Sequence, residues 1–172
     1  MKTSIVIFVM AIGMSPIVDL FPAELSKKLY KVIEKTWSVT SPEIEKIPAD
    51  DKVYIAQNDF SVFKVSSNSQ IKGYLYLTRA KGRFDYFDYV ILFNPNFEIE
   101  KVEVILYRSQ YGGEISGKNW LKQFLGMKNE TKEYGKEINA ISGATISGKA
   151  ITNGINESIS IMTKLKNETF TD

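Results

Sequence analysis

The residues best suited to chemistry in this chain are four small ones in a row, Ser142-Gly143-Ala144-Thr145. They precede an apolar-periodic run that is typical of a helix. Small neighbours leave room for a bulky reagent to reach the Thr145 hydroxyl. A helix that begins here supplies unpaired backbone N–H groups and the positive end of its dipole, and both favour a phosphate. The combination suits a threonine that carries a phosphate-linked group.

Two other interpretations of this stretch are open from the residues alone. In the plainer one it is an ordinary loop before a helix, with Ser147 as the N-cap. In the other, residues 143–149 match the G-x-x-x-x-G-K pattern of a nucleotide phosphate loop. That pattern requires a Ser or Thr next, to ligate magnesium, and the chain has Ala150 there. It also requires a preceding apolar strand, which residues 134–139 do not resemble.

The composition of the 172-residue chain excludes several kinds of chemistry. It has no cysteine and no histidine, which removes disulfides, thiolate nucleophiles, the usual zinc sites and histidine acid–base catalysis. Any redox activity therefore requires a bound organic cofactor. A formal net charge of +2 implies no basic face and predicts no nucleic-acid partner. The 44% hydrophobic content predicts one folded domain with an N-terminal appendage.

The N terminus matches a secretory signal. Met1-Lys2 precede an apolar run from Ile5 to Val18, which Asp19 ends. The run is shorter than the roughly 20 residues of a membrane span. A positive start, a short apolar centre and helix-breaking residues predict a signal peptide or membrane anchor at residues 1–23, with any cleavage near Ala23. An extracytoplasmic location follows, either periplasmic or at the outer face of the membrane; a buried helix is the alternative.

Hydrophobic periodicity predicts an opening helix and then a sheet. Leu25, Leu29 and Ile33 recur at helical spacing from Glu24 onward. The two Xaa-Pro pairs at residues 41–42 and 47–48 predict a loop. Strands are predicted at Val53–Ala56, Phe60–Val65, Ile71–Leu77 and Tyr89–Phe93, the last forming a hairpin with Ile99–Tyr107.

The aromatic stretch Phe84–Tyr89 has two interpretations, a partner surface or, as we prefer, a loop that leads into an inner strand. Beyond the sheet, Ser116 is the predicted N-cap of a short helix through Leu125 that Gly126 ends. A last helix is predicted over Ala150–Met162. This order favours a single α+β domain, a mainly antiparallel twisted sheet flanked by helices.

Residues 139–147, Asn-Ala-Ile-Ser-Gly-Ala-Thr-Ile-Ser, resemble the flavin-attachment motif of the FMN-binding domain family. That family includes the covalent-flavin subunits of the sodium-pumping NADH:quinone reductase and of the Rnf complex. Its pattern is Asp, two residues, Ser or Thr, then Gly-Ala-Thr, often with a Ser or Thr two residues on. In the family a flavin transferase esterifies the final Thr to FMN phosphate. The resemblance thus assigns Thr145 as the attachment residue, with FMN contacts at Asn139, Ser142, Gly143, Ala144 and Ser147.

A second block supports the resemblance. Tyr107–Glu114, followed by Trp120–Gly126, is similar to the glycine-bearing segment of the family and its following helix. Glycines at 112 and 113 let the backbone lie flat against a planar ring, although a plain turn is the alternative. Glu114 has two interpretations: its carboxylate faces the polar edge of the flavin, or it caps a turn. Gly112, Gly113 and Glu114 are therefore further candidate FMN contacts.

Two aromatic residues of this block are candidate neighbours of the flavin ring, Tyr111 and Trp120. The helical spacing of Trp120 with Phe124 favours a role in the core for the tryptophan. Tyr111 has no such spacing, and it stays a candidate for packing near the ring.

The resemblance covers about residues 60–160 and implies a flavoprotein electron carrier rather than a stand-alone catalyst. Its partners would be the flavin transferase and a redox protein or membrane reductase. The implied division is an N-terminal helix and connecting segment at 24–58 and an FMN-binding domain at 59–172. One position departs from the pattern: Asn139 replaces the usual Asp and lacks its charge, and Glu137 is out of register. A binding or sensory module without covalent flavin is the alternative function.

Overall fold

The computed structural model describes residues 23–48 and 59–169. No helix in these two ranges is long and apolar enough to cross a membrane. The predicted leader, apart from Ala23 at the start of α1, and the candidate strand at Val53–Ala56 lie outside the described residues. The described helices are α1 (Ala23–Trp37), α2 (Lys118–Leu121) and α3 (Thr145–Thr169), with 3-10 turns at Gly113–Ser116 and Lys122–Phe124.

Five strands form one antiparallel sheet in which neighbours in sequence are neighbours in space. The β4–β5 hairpin is confirmed, since Phe93 pairs with Ile99 and Phe87 with Tyr107. Between these strands the Asn94 side chain accepts the N–H groups of Asn96 and Glu98, at 2.9 and 3.0 Å. The predicted α+β class is confirmed. The strands are β1 (Glu43–Ile47), β2 (Phe60–Ser67), β3 (Gln70–Lys81), β4 (Tyr86–Phe93) and β5 (Ile99–Tyr107).

Helices cover both faces of the sheet. Leu29 and Ile33, one turn apart on α1, pack with Leu75 and other inner residues on one face. Ile151 and Ile155, one turn apart on α3, pack with Tyr76 and its neighbours on the other face. Alternate residues of a strand point to opposite faces, so an inner strand covered on both sides is apolar throughout. This explains the continuous apolar run in β4.

The predicted loop between the two prolines is wrong, because β1 occupies it. Glu43–Ile47 pairs with β2 at the edge of the sheet, where Ile44 is buried against the α1 side. Three of its five residues are charged, which hid the alternation. Prolines are tolerated beside an edge strand because it leaves one row of backbone groups unpaired. Pro42 and Pro48 therefore bound a strand rather than mark a loop.

The predicted N-cap at Ser116 is also wrong. Ser116 ends a 3-10 turn, and Gly117 is the residue before α2, with no side-chain cap. The Gly117 N–H instead donates to the Glu114 carbonyl at 3.0 Å. Two glycines start the turn earlier than the apolar pattern indicates. The helical region nevertheless ends where predicted, at Gly126, which has a positive φ of 80°.

Candidate functional site

The start of α3 sets the geometry of the candidate site. Gly143 has a left-handed backbone (φ 81°) and redirects the chain into the helix. The Ala144 N–H donates to the Ile141 carbonyl at 3.2 Å, and the Ala144 carbonyl accepts the Gly148 N–H at 2.7 Å. Thr145 is the first helical residue. The amides of residues 145–147 therefore have no acceptor within the helix, and the Ser147 N-cap interpretation is wrong.

Thr145 is exposed and lies on an open groove of about 360 Å³, called here the Thr145 groove. Residues 143–147 line one side of it. Arg83, from the β3–β4 loop, and Tyr111 and Gly112, from the segment after β5, line the other. The positive end of the 25-residue helix α3 and the Arg83 guanidinium thus border one space. This arrangement suits a phosphate beside the Thr145 hydroxyl.

The hydroxyls of Tyr107 and Ser147 hold together the two segments that line the groove. The Tyr107 hydroxyl donates to the Tyr111 carbonyl at 2.8 Å and lies 2.8 Å from the Ser147 hydroxyl oxygen. A carbonyl only accepts, so the one tyrosine proton is used there and Ser147 donates to Tyr107. Ser147 is 2% exposed. It thus joins the first turn of α3 to the end of β5, and the proton of its hydroxyl is already used in that contact.

Glycine is required where these segments meet. Gly112 has φ 82°, and a Cβ there would lie 2.7 Å from the Tyr107 hydroxyl and 3.0 Å from the Ser147 hydroxyl. Gly82, in the β3–β4 loop, approaches Ser147 equally closely: an added Cβ would be 3.0 Å from it. A side chain at Gly112 is therefore disfavoured by both conformation and space. Gly113 differs, because its nearest contact would be an ordinary 3.5 Å.

Exposed apolar side chains surround the Thr145 groove. Phe84, Tyr111 and Ile146 are 63%, 66% and 52% exposed. The Phe84 and Tyr111 rings are 5.9 Å apart, and the Arg83 guanidinium lies 5.2 Å from the Phe84 ring. Such an aromatic rim beside an anion-favouring helix end suits a molecule with a planar ring system and a phosphate.

Comparison with known proteins identifies this region. Residues 86–160 match the model of the FMN-binding domain. This match supports an FMN-binding domain over these residues. The predicted family and the predicted cofactor, FMN, are thereby confirmed.

Two similar proteins add detail. A protein of Acetobacterium woodii, named as a subunit of the Na(+)-translocating ferredoxin:NAD(+) oxidoreductase complex, is 38% identical over 55 residues, 32% of this chain. The match spans only 27% of that curated relative. The crystal structure of Shewanella oneidensis NqrC has a TM-score of 0.56 with 15% identity, covering 84% of this chain and 99% of that one. At this identity the likeness shows the fold, which agrees with the predicted architecture.

The Thr145 groove fits FMN by its own chemistry. The three amides at the start of α3 and Arg83 would hold the phosphate. The rim of Phe84 and Tyr111 would pack against the isoalloxazine. Gly112 and Gly143 keep the approach open, since neither presents a side chain.

The structure brings together only part of the predicted FMN-binding set. Gly112, Gly143, Ala144, Thr145 and Ser147 line the groove. The described lining does not include four of the predicted contacts: Asn139, Ser142, Gly113 and Glu114. Glu114 is exposed at the start of a 3-10 turn, beside the groove rather than on its surface.

Asn139 is held by its backbone rather than by its side chain. Its N–H donates to the Gln123 side chain at 2.8 Å, and its carbonyl accepts the Trp120 indole N–H at 2.7 Å. Trp120 in turn packs edge-on against Phe124, with centroids 5.4 Å apart, so the core role predicted for it is confirmed.

Nearby, hydrogen bonds from the backbone amides of Glu133 and Glu137 lower the pKa of the Glu137 carboxyl.

The stretch Phe84–Tyr89 leads into an inner strand as expected, but it is a loop only at residues 84–85, because β4 already begins at Tyr86 and Phe87 to Tyr89 are buried. Asp88 is 3% exposed and pairs with Arg79 and Arg108. Arg108 also donates to the Tyr86 carbonyl at 3.0 Å. These contacts tie the start of β4 to the end of β5, and so position the two loops that line the groove.

Sequence reasoning missed Arg83 and Ile146 as residues of the groove. Arg83 is about 60 residues from the motif, and no local pattern connects it to Thr145. Ile146 was visible as an apolar residue in the first turn of a helix, a position that usually faces a core. In the structure it is 52% exposed, and no pattern in the sequence distinguishes it from a core residue. No group of residues able to hold a metal occurs in the described parts of the chain.

Proposed function

We propose that FMN is esterified through its phosphate to the Thr145 hydroxyl and that the protein is a flavoprotein electron carrier. The observation that supports this most is the position of Thr145: an exposed hydroxyl at the first residue of α3, on the groove of the FMN-binding domain. Attachment forms one bond from the Thr145 side-chain oxygen to phosphorus. The phosphorus–oxygen bond between the FMN phosphate and the nucleoside monophosphate part of a flavin dinucleotide donor breaks, the nucleotide leaves, and the hydroxyl proton of Thr145 passes to solvent.

The chain then has three tasks at the groove. The amides of residues 145–147 and the α3 dipole stabilise the single negative charge of the phosphodiester, with Arg83 as a nearby cation. The Tyr107 hydroxyl, through its hydrogen bonds with Ser147 and the Tyr111 carbonyl, holds the start of α3 against the segment after β5. Phe84 and Tyr111 pack against the ring. When bound, FMN supplies the transfer of one or two electrons.

Electron carriage is favoured over catalysis on a substrate. The described residues that line the groove include no carboxylate, and the chain has no histidine or cysteine. Histidine, cysteine and carboxylates, which are common general acids and bases, are thus missing from the described lining of the groove. The similar protein of Acetobacterium woodii is named as part of an oxidoreductase complex, which supports a redox protein as partner.

The proposal includes a location and a modifying enzyme. Residues 1–23 direct export or anchor the chain, and a flavin transferase attaches FMN on the extracytoplasmic side. A covalent link suits that side, because free FMN there would be diluted. In this proposal residues 24–58 are an N-terminal helix with its connecting segment and residues 59–172 the FMN-binding domain; β1 of the first part pairs with β2 of the second.

Fluorescence on a denaturing gel tests the attachment. The chain is produced with and without a co-expressed flavin transferase, boiled, separated and viewed under ultraviolet light. We expect a fluorescent band only with the transferase, and an intact mass raised by one FMN less one water. The Asn139 departure favours the second candidate, a flavin-free binding or sensory module. A dark band with the transferase, together with no uptake of free FMN, would support that candidate instead.

A further inference from the structure

A second groove lies along β5, between α1 and α2, and is lined mainly by lysines. We call it the lysine groove. Its volume is about 580 Å³, larger than the 360 Å³ of the Thr145 groove, and the two share no lining residue. The lysines come from three elements that are distant in sequence: Lys28, Lys31, Lys35, Lys101 and Lys118.

The charges of this groove are only partly balanced. Glu100 and Glu103 are its acidic residues, so the lining has a formal net charge of +3. Glu103 pairs with Lys101 at 3.1 Å, and Glu100 accepts the Trp37 indole N–H at 2.5 Å. Lys31, Lys35 and Lys118 form no ion pair with a described residue. Like charges gathered in one concave surface raise the local potential and attract anions.

One lysine fixes the shape of the groove. Lys28 donates from its ammonium group to the carbonyls of Val104 and Ile105, at 3.0 and 2.9 Å. These bonds tie α1 to β5. Lys31 and Lys35, one turn apart on α1, are thereby held on a defined side of the strand. The groove is therefore part of the fold rather than a chance gathering of surface lysines.

We infer that the lysine groove binds phosphate groups that together carry two or more negative charges. Lysine binds phosphate as a compact point charge, whereas arginine provides the planar fork that matches a carboxylate, and the described lining contains no arginine. The volume is within the range of small-molecule sites. Three of the five lysines lie on α1, outside residues 86–160, so the matched FMN-binding domain alone does not form this groove.

The phosphate has two possible sources, a soluble compound or the head groups of an anionic membrane. The second is natural if the leader anchors the chain, since only residues 19–22 separate the apolar run from α1. Such a linker spans at most about 18 Å. The bilayer surface would then lie close to the lysines of α1, each of which contributes to attraction by anionic lipid.

The test uses the full chain in neutral detergent and as bound to vesicles. One arm titrates pyrophosphate by calorimetry. The other compares partitioning onto phosphatidylcholine vesicles with and without one third phosphatidylglycerol. The variant is Lys31→Gln/Lys35→Gln/Lys118→Gln. The control is Lys46→Gln/Lys81→Gln/Lys164→Gln, which removes the same charge from exposed positions outside the groove.

We expect the groove variant to weaken binding about fivefold per lysine, on the order of a hundredfold in all, and the control to have little effect. If the groove variant binds pyrophosphate more weakly, the ligand is a soluble phosphate compound. If the groove variant loses binding only to the vesicles, the ligand is a membrane surface. Glu100→Gln should strengthen binding about fivefold in the same arm, a gain that misfolding cannot produce. Equal losses in variant and control, or no binding in either arm, would overturn the inference.

Discussion

The Thr145 groove and the lysine groove attract anions by different means. The first has a single arginine among its described lining residues, and relies on backbone amides, a helix dipole and glycine. Its parts are held in place by hydrogen-bonded hydroxyls. The second has five lysines, whose long side chains are largely exposed. Fixed dipoles cost no reorganisation when charge arrives, whereas mobile ammonium groups must lose side-chain entropy on binding.

This difference predicts how each groove responds to substitution. A groove built from fixed geometry should fail when a single small group is displaced without any change in charge. In a groove built from side-chain charge, the binding free energy should fall in proportion to the charge removed. Salt should also screen the attraction between the groove and the anion, over about 8 Å at physiological ionic strength. The first three substitutions below, at the Thr145 groove, test the first half of that contrast, and the fourth tests the attachment motif beside it.

The largest effect is expected from removal of the attachment oxygen. Thr145→Val keeps the shape of the side chain and should abolish covalent FMN, because no ester can form. Thr145 is exposed, so the thermal midpoint should change little. Loading is measured by gel fluorescence after boiling. Thr145→Ser should retain the signal, and Thr131→Val, at another exposed threonine, should not alter it. A full signal in the Thr145→Val protein would place the attachment elsewhere.

The next largest effect is expected at Gly112. Gly112→Ala puts a Cβ 2.7 Å from the Tyr107 hydroxyl at a positive φ. It should lower the free energy of unfolding by roughly 1–3 kcal/mol and reduce FMN loading. Gly113→Ala is the matched control, because the added methyl meets only an ordinary 3.5 Å contact. Denaturant unfolding measures both. Similar losses at the two glycines would contradict the geometric account of this groove.

A smaller effect is expected from loss of the tyrosine hydroxyl. Tyr107→Phe leaves the Tyr111 carbonyl and the Ser147 hydroxyl without this partner. The cost should be about 1–2 kcal/mol, with slower loading by the transferase. Tyr86→Phe, at an exposed position, serves as control. The readout is the initial loading rate beside the unfolding free energy. Unchanged loading in a destabilised Tyr107→Phe protein would limit the hydroxyl to a structural role.

The smallest effect, a several-fold gain, is expected at Asn139. Asn139→Asp restores the carboxylate of the family pattern, and it should speed loading if the transferase reads that charge. The side chain is exposed and the backbone carries the local hydrogen bonds, so the fold should be unchanged. Asn129→Asp adds the same charge at another exposed site. An equal gain in both variants would assign the effect to net charge rather than to the motif.

The sequence predicted what is local and missed what depends on tertiary structure. Thr145, Gly143 and the start of a helix are neighbours in the chain, and their pattern was readable. Arg83 reaches the same groove only because β3 and β4 form a hairpin. Tyr111 was foreseen as a neighbour of the ring, but its hydrogen bond to Tyr107 was not. The contact of Ser147 with Tyr107 was not predicted either, because it joins residues 40 positions apart in the chain, and the alternative role of Ser147 as an N-cap is wrong.

Charge was the harder quantity to predict. A formal net charge of +2 implied no basic face, and this was wrong, because the fold collects lysines on one side of β5. Positions along the chain do not show which charges meet when α1 packs beside a distant strand. Strand β1 was missed for a related reason: its charged residues are tolerated at a sheet edge, where one side faces solvent.

The central claim is that one side-chain oxygen carries the flavin, and tandem mass spectrometry of a single peptide tests it directly. Cleavage after Lys136 and Lys149 releases residues 137–149, which contain the hydroxyls of Ser142, Thr145 and Ser147. In protein loaded by the transferase, the account predicts the FMN mass on the fragments that include Thr145 and on no other hydroxyl. FMN located on Ser142 or Ser147, or a wholly unmodified peptide, would contradict it.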